Sequence, residues 1–204
     1  MQTKKEKNRS IINIIGTLFI FAGLCLIVYD YTTKQNIKDD EQAAIQNYNI
    51  TEKIDNDDTE EPQKQEEVKQ QTNIEYIAIL KIPKINLERG LVDRNSYLNN
   101  VNYNVEILAD SSMPDEINGN VILAAHSGNA RVSYFRNLDK LSINDKVSLD
   151  YKGTTYNYKV VDIYDIEKTG TALIKRNYKT STLTLITCRH NTNKQIVVIC
   201  ELEK

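Results

Sequence analysis

The chain has 204 residues and a formal net charge of −2, and 40% of its residues are hydrophobic. This length allows one domain with appendages or two very small domains. The near balance of 26 basic and 28 acidic residues argues against a strongly basic nucleic-acid-binding protein. Three cysteines, one of them inside an apolar run, exclude a small protein held together by disulfides.

The sign of the charge changes along the chain and divides it into three parts. Residues 1–29 contain four basic residues and one acidic residue, and residues 30–73 contain five basic and twelve acidic residues. Residues 74–204 contain 17 basic and 15 acidic residues. The sequence therefore predicts a basic head, an acidic linker and one nearly neutral domain.

The head has the pattern of a membrane anchor. Residues 11–29 form a run of 19 residues without a charge, and a helix of that length rises about 28 Å, close to the hydrocarbon thickness of a bilayer. Basic residues precede the run, which predicts a single-pass protein of the cell membrane with residues 1–10 in the cytoplasm and the rest outside. A cleaved signal peptide is the alternative, and the bulky side chains after Leu24 argue against it. Cys25 is interpreted as an apolar helix residue.

The segment 30–73 is predicted to be a linker. It is rich in Gln, Asn, Glu, Asp and Lys, with no Gly and one Pro. Its few apolar residues cannot bury enough surface to offset the conformational entropy lost on folding, so we expect disorder, with short helical stretches allowed around 41–48.

The segment 74–204 is long enough for one packed core and reads as mainly β. Short strand-like runs recur between turn residues, which favours a barrel or a sandwich over alternating strands and helices. Two segments, 95–103 and 134–141, have the pattern of short helices. The predicted strands are 76–82, 87–92, 106–108, 120–125, 146–151, 156–166, 182–188 and 196–202.

Two of these strands end at reactive side chains. An apolar strand stops at His126, and another ends at Cys188. A thiol is a useful nucleophile as the thiolate, which a neighbouring imidazolium stabilises, and the same histidine can protonate a leaving amine. Such a pair would support acyl transfer through a thioester. The alternative, that Cys188 is a small core residue and His126 a structural one, stays open from spacing alone.

The other thiol and imidazole of the domain are weaker candidates. Cys200 lies inside a terminal apolar strand, and His190 follows Cys188 by two residues in a predicted loop. Two histidines and distant cysteines do not supply the ligand spacing of a zinc site, and no acidic cluster predicts another metal.

These motifs resemble those of a known family. Thr184-Leu185-Ile186-Thr187-Cys188 resembles the T-L-x-T-C signature of sortases, the membrane-anchored cysteine transpeptidases of Gram-positive bacteria. Ala124-Ala125-His126-Ser127 is similar to the strand that carries their histidine. Residues 135–147 resemble the F-x-x-L-x-x-L-x-x-G-D stretch, with Asn144 at the usual glycine. The order of anchor, histidine and cysteine signature is more specific than any of these motifs alone.

The resemblance implies a fold and an activity. The fold would be the eight-stranded β-barrel of sortases with one or two short helices. Cys188 would attack a sorting motif, commonly L-P-x-T-G-like, in a secreted protein, and His126 would be the general acid and base. A peptidoglycan precursor or a pilin lysine would supply the amine that resolves the thioester. The domain would work outside the cell as a hydrolase-class thiol peptidase and transpeptidase, with no cofactor, metal or nucleic acid.

The resemblance also implies an arginine at the start of the last strand, and here the sequence departs from the family. The corresponding position falls near Lys194-Gln195 and not on an arginine, and Lys194 keeps a positive charge but lacks the planar fork of a guanidinium. Arg189 is the nearest arginine, and because it directly follows Cys188 it would point to the other face of a strand. We therefore expect Lys194 in the third role. The departure leaves a second hypothesis, a membrane-tethered binding module or an inactive sortase homologue.

Overall fold

The computed structural model describes the backbone of residues 3–54 and 74–203 and divides the chain into two units, Met1–Ala43 and Ala44–Lys204. Helix α1, Thr3–Ile54, supplies the described part of the first unit. Its last residues, from Ala44 onward, belong to the second unit, which contains the whole β-sheet.

The predicted membrane anchor, residues 11–29, lies within α1. Among the residues that the structure describes, no helix combines the length and the apolar character needed to cross a bilayer. The side chains of residues 1–15, which include the basic head and the start of the predicted anchor, lie outside the described part.

The first part of the predicted linker is helical and not disordered. Helix α1 continues through it as far as Ile54. This part of the chain contains no Gly or Pro and is rich in Lys, Gln, Glu and Ala, which are good helix formers. Residues 55–73, the remainder of the predicted linker, lie outside the described residues.

Within the second unit, the end of α1 buries apolar side chains that the composition of the linker did not single out. Ala44 and Ile45 are buried in a cluster with Tyr76, Ile79 and Val92 of the β-domain. The hydroxyl of Tyr48 donates a hydrogen bond to the carbonyl oxygen of Asp150 at 3.3 Å. Tyr48 follows Ala44 and Ile45 by about one helix turn, so these side chains lie on one face of α1. This face packs on the β-domain.

Eight strands form one sheet that curves into a nearly closed barrel, which confirms the predicted mainly β fold. The order of the strands across the sheet is β2-β1-β5-β6-β8-β7-β4-β3. Strands β4 and β7 are parallel, and the other six neighbouring pairs are antiparallel. The strands are β1 (Ala78–Ile82), β2 (Leu87–Leu91), β3 (Glu106–Ile107), β4 (Asn120–Ala124), β5 (Lys146–Tyr151), β6 (Thr154–Glu167), β7 (Thr182–Cys188) and β8 (Lys194–Leu202).

Side chains that alternate along the strands fill the barrel. On β7, Leu183 and Leu185 belong to this interior core, whereas Ile186 belongs to a separate apolar cluster on the outer face. The interior also takes Phe135 and Leu138 from the segment after β4. The sheet therefore has two apolar faces, and the outer one is covered near the ends of β4 and β7.

The two edge strands, β2 and β3, are bridged by a buried side chain and not by a strand ladder. The amide of Asn104, just before β3, accepts a hydrogen bond from Nε of Arg89 at 2.5 Å and donates one to the carbonyl oxygen of Gly90 at 3.0 Å. Asn104 is only 2% exposed. The side chain of Asn104 thus joins the segment before β3 to β2 across the gap between the two edges, and its polar atoms are satisfied there.

Two turns show how asparagine, lysine and glycine accept positive φ angles. Lys152 and Gly153, with φ of 47° and 69°, form the two-residue turn between β5 and β6, which is shorter than the four residues that the sequence suggests. Asn144 has a φ of 76°, so the residue at the usual glycine of the family stretch occupies the left-handed region that asparagine tolerates well.

The predicted short helices are replaced in large part by turns. The described domain contains two 3-10 helices, Pro83–Ile85 and Leu138–Lys140, and the second lies inside the predicted segment 134–141. Residues 95–103 form turns instead, in which the side chains of Asn99 and Asn100 bond to backbone groups. Asparagine competes with helical hydrogen bonding in this way.

Candidate active site

The parallel pairing of β4 with β7 brings the two reactive strand ends to one edge of the sheet. The register pairs Ala124 with Ile186, a separation of 62 residues that is constant along the whole ladder. Continued by two residues, the same register sets His126 beside Cys188. Neighbouring strands lie about 4.8 Å apart, so the two backbones are held close at this edge.

Hydrogen bonds beyond the last register pair keep the two strand ends together. The backbone nitrogen of Ala125 donates to the carbonyl oxygen of Ile186 at 3.3 Å. The hydroxyl of Thr187, which is 4% exposed, donates to the carbonyl oxygen of Ala125 at 2.6 Å. The side chain of Thr187, which precedes Cys188, thus holds Ala125, which precedes His126.

His126 and Cys188 continue the outer face of the sheet. Val121 and Leu123 of β4 point into the barrel core, and Ile122 belongs to the outer cluster, so the alternation carries His126 outward. Ile186 is in the outer cluster, and Cys188 has the same parity on β7. Both side chains therefore emerge on one side of one edge.

The imidazole of His126 is exposed and has a specific partner. Its Nε2 lies 3.3 Å from Oδ1 of Asn102. An amide oxygen only accepts hydrogen bonds, so this contact is a hydrogen bond in the tautomer that carries the ring proton on Nε2. The carbonyl oxygen of His126 accepts a hydrogen bond from the nitrogen of Phe135 at 3.1 Å, and Phe135 is anchored in the barrel core.

Cys188 is half-buried and borders a cavity of about 130 Å³. The cavity is lined on one side by Thr187, Arg189 and His190, and on the other by residues that follow β4, among them Arg136 and Asp139. The sulfur thus lies at a surface recess and is not sealed in the core.

The other two cysteines occupy different surroundings. Cys200 is fully buried in the barrel core, and this burial raises the pKa of its thiol from 9.0 to about 12. Cys25 lies on α1 and is exposed. Of the two thiols in the described β-domain, that of Cys188 is accessible and that of Cys200 is not.

The antiparallel register of β7 and β8 decides which side chains share the face of Cys188. Cys188 is directly opposite Gln195, and opposite residues on neighbouring strands lie on the same face. Arg189 and Lys194 come one position beyond this pair, and the backbone nitrogen of Arg189 donates a hydrogen bond to the carbonyl oxygen of Lys194. Their side chains therefore lie on the opposite face of the sheet from Cys188. Gln195 is therefore the polar side chain nearest in register to the cysteine.

The two cations considered for the third role have other surroundings. Nε of Arg189 forms an ion pair with Asp165 of β6 at 2.5 Å. Lys194 is exposed at the start of β8, opposite Glu167 of β6 as well as Arg189. Neither side chain shares the parity of Cys188.

A buried apolar cluster lies on the outer face of the sheet near the same edge. Three strands and the segment between β6 and β7 build it. The hydroxyl of Tyr164 holds this segment on the sheet, because it donates to the carbonyl oxygen of Leu173 at 3.0 Å and accepts from the nitrogen of Lys175 at 2.7 Å. Burial is the main cause that raises the pKa of Tyr164. The buried residues of the cluster are Ile122, Ile186, Val197 and Ile199, and Ala172 and Ile174 of the segment pack on them.

Comparison with known proteins assigns this arrangement to a family. The family model described as the sortase domain matches residues 80–203, which is more than half of the chain. The chain therefore belongs to the sortase family, a family of cysteine transpeptidases, and it has the fold of that family.

Solved sortase structures share the fold. A sortase D5 transpeptidase of Clostridium perfringens is 26% identical, with a TM-score of 0.54 over 64% of this chain and 80% of that one. Sortase A of Corynebacterium diphtheriae is 22% identical, with a TM-score of 0.57 over 65% of this chain and 62% of that one. Sortase C2 of group B Streptococcus pilus island 1 is 22% identical, with a TM-score of 0.56 over 63% of this chain and 74% of that one. None of the curated proteins compared matches the chain.

One residue of the site, Asn102, was not found from the sequence. It lies in an asparagine-rich stretch where nothing distinguishes it from its neighbours. Gln195 stands beside Lys194 at the place to which the family resemblance pointed, and the sequence favoured Lys194 because of its positive charge. One residue of offset in a strand changes the face, so only the β7–β8 register separates the two side chains.

Proposed function

We propose that this chain is an active sortase that cleaves a sorting motif in secreted proteins and joins the acyl part to an amine. The observation that carries this proposal is the parallel β4–β7 register, which brings His126 and Cys188 to the same edge and face. The half-buried position of Cys188 at the border of a surface cavity supports access of a peptide to the thiol.

The proposed reaction has two stages. The thiolate of Cys188 attacks the carbonyl carbon of an L-P-x-T-G-like motif, and His126 protonates the amine that leaves. The resulting thioester is then attacked by an amine of a peptidoglycan precursor or of a pilin lysine. His126 takes a proton from this amine, and the thiolate of Cys188 is regenerated.

The third catalytic role is proposed for a residue at the start of β8. Sequence reasoning favoured Lys194, and the register favours Gln195, because its side chain shares the face of Cys188. An amide donates hydrogen bonds to a developing oxyanion as an uncharged group, whereas an ammonium acts as a point charge. Gln195 is therefore the stronger of the two proposals.

We also propose that the chain is anchored in the cell membrane by residues 11–29, with the catalytic domain outside. The support is the uncharged run of 19 residues and the basic residues before it. Large apolar side chains in the described part of this run are exposed, including Leu18, Phe19 and Ile27, which are 64%, 74% and 69% exposed. A surface of this kind needs a lipid or protein partner.

The second candidate function is a tethered binding module or an inactive homologue. The observation that favours it is the absence of an arginine from the face of Cys188, among the described residues of β7 and β8. Such a protein would bind surface polypeptides without forming a covalent intermediate.

Mass spectrometry separates the two functions. The full chain in detergent is incubated with a mixed library of L-P-x-T-G-like peptides, and intact mass and peptide mapping identify adducts. We expect an acyl adduct on Cys188 that is absent from Cys188→Ala and greatly reduced in His126→Ala. Peptide binding with no adduct in the unsubstituted chain would support the binding module instead.

A further inference from the structure

Arg89 is a buried cation on the inner face of β2. It alternates with Leu87 and Leu91, which pack in the barrel core, and it lies opposite Leu80 of β1, which is fully buried. Only 8% of Arg89 is exposed. Burying a guanidinium costs desolvation free energy that an aliphatic side chain at the same position would not. This cost points to a role for Arg89 other than filling the core.

The edge of the guanidinium holds the turn that presents Asn102 to His126. Its Nε donates a hydrogen bond to Oδ1 of Asn104 at 2.5 Å. The backbone nitrogen of Asn104 donates to the carbonyl oxygen of Asn100 at 2.8 Å, and Oδ1 of Asn100 accepts from the backbone nitrogen of Asn102 at 2.9 Å. Oδ1 of Asn102 in turn lies 3.3 Å from Nε2 of the imidazole. Arg89 is thus joined to this oxygen through one short turn, residues 100–104.

The flat face of the same guanidinium contacts the segment that carries His126. Its central carbon lies 4.2 Å from the centroid of the Tyr134 ring, within the range of a cation–π contact. The next residue, Phe135, is buried in the core and donates its backbone N–H to the carbonyl oxygen of His126 at 3.1 Å. A planar guanidinium donates from its edge and stacks through its face at the same time, so one group joins both segments.

We propose that Arg89 is a positioning residue for His126, whose guanidinium holds the turn 100–104 and the segment of Tyr134 in one arrangement. The proposal rests on the proposed transpeptidase function for its effect on the rate, and on the contacts alone for its effect on the imidazole. At 3.3 Å the contact between Asn102 and the imidazole is at the long end of hydrogen-bond distances, so a small displacement of either segment breaks it. Arg89 takes no part in bond making.

The test observes the imidazole directly. The chain has two histidines, His126 and His190, so isotope labelling of histidine gives two ring signals in the NMR spectrum of the full chain in detergent. In the unsubstituted chain we expect a nuclear Overhauser effect between the ring protons of His126 and the side chain of Asn102, a contact that Asn102→Ala identifies by removing it. Arg89→Lys keeps the charge but lacks the planar face and the Nε donor. We expect it to abolish this contact and to leave the His190 signals unchanged.

A second pair of variants separates positioning from a loss of fold. Tyr134→Phe keeps the aromatic ring and should keep the contact, whereas Tyr134→Leu removes the π face and should weaken the contact as Arg89→Lys does. In peptide cleavage, Arg89→Lys should lower kcat by up to about tenfold with KM nearly unchanged. Added to Asn102→Ala, it should lower kcat by less than a further factor of about two, since both changes act on one hydrogen bond.

A matched control changes the same kind of side chain elsewhere. The guanidinium of Arg176 lies 4.4 Å from the ring centroid of Tyr178, and its Nη1 donates to the carbonyl oxygen of Asn118 at 2.9 Å. Asn118 precedes β4, at the end of the strand remote from His126. Arg176→Lys should therefore leave the contact between His126 and Asn102 in place.

The outcomes separate this inference from the proposed function. A contact that is absent from the unsubstituted chain, that persists in both Arg89→Lys and Tyr134→Leu, or that is also lost in Arg176→Lys overturns the inference. Where Arg89→Lys unfolds the chain, equal contacts in Tyr134→Phe and Tyr134→Leu overturn it. If the unsubstituted chain forms no acyl adduct while the contact depends on Arg89, the proposed function fails and the positioning of the imidazole by Arg89 stands.

Discussion

His126 follows β4 and Cys188 ends β7, and each lies two residues beyond the pair that Ala124 and Ile186 form in the parallel ladder. Parallel strands end at the same edge of a sheet, so this pairing needs no long loop to bring the two side chains together. The hydrogen bond from Thr187 to the carbonyl oxygen of Ala125 extends the contact to the residues just before them. The segments that carry His126 and Cys188 are therefore joined to each other just before the two reactive side chains.

The first prediction concerns the orientation of His126. Asn102→Ala removes the oxygen that lies 3.3 Å from Nε2, and we expect kcat to fall about tenfold with KM nearly unchanged. Asn102→Asp keeps an acceptor oxygen and should retain most of the activity. Steady-state peptide cleavage measures both, with the exposed Asn95→Ala as the control. A rise in KM at constant kcat would show that Asn102 binds peptide instead.

The second prediction separates the candidates at the start of β8. Gln195 shares the face of Cys188, so Gln195→Ala should lower kcat about tenfold or more, and Gln195→Arg should raise kcat/KM by adding a charged planar donor. Lys194→Ala, one position away, is the matched control and should change the rate less than twofold. Single-turnover acylation of Cys188 is the measurement. The reverse order of effects would return the role to Lys194.

The third prediction concerns thiol reactivity. With Cys25 replaced by serine, iodoacetamide at neutral pH should alkylate Cys188 at least about a hundredfold faster than Cys200, because the pKa of Cys200 is raised to about 12 and its side chain is buried. His126→Ala should slow alkylation of Cys188 and leave Cys200 unchanged. Peptide mass mapping gives both rates. Comparable labelling of the two cysteines would contradict the assigned environments.

The fourth prediction concerns stability in alkali. The folded chain holds the thiol proton of Cys200 up to about pH 12, whereas the unfolded chain releases it near pH 9, so the free energy of unfolding falls as the pH rises through this window. Below pH 9 this group adds no pH dependence. Cys200→Ala should cost about 1–2 kcal/mol at neutral pH, and the deficit should shrink between pH 9 and 12.

Urea unfolding at a series of pH values measures this difference. Burial also raises the pKa of Tyr158. Because this residue is present in both chains, its contribution to the pH dependence of stability largely cancels. Cys25→Ala changes an exposed thiol and should leave the pH dependence unaltered. Parallel stability curves for the unsubstituted chain and Cys200→Ala would refute the prediction.

The fifth prediction concerns closure of the barrel. Asn104→Ala removes two buried hydrogen bonds, one from Arg89 and one to the carbonyl oxygen of Gly90. We expect a loss of about 2–3 kcal/mol in the free energy of unfolding, since buried polar groups lose partners. Denaturant unfolding measures the loss, and Asn193→Ala at an exposed position is the control. A change below 0.5 kcal/mol, the usual range for surface substitutions, would mean that the bridge does not stabilise the fold.

Local pattern was sufficient for much of the strand structure. Alternation and turn residues predicted β5 and β7 with the bounds that the structure has, because each strand presents one or both faces to a core. The composition of residues 30–73 predicted disorder, whereas the structure shows α1 continuing to Ile54. The predicted helix was also wrong at residues 95–103, where asparagine side chains compete with the helix for backbone hydrogen bonds.

The sequence by itself determined the family, through the residues around Cys188 and His126, and it determined which two side chains are chemically suited to acyl transfer. Tertiary structure alone decided that β4 and β7 are parallel neighbours, that Asn102 contacts the histidine and that Gln195 faces the cysteine. The physical reason is that the register between strands depends on the packing of the whole barrel. A shift of one residue moves every side chain to the other face, and no local pattern records that choice.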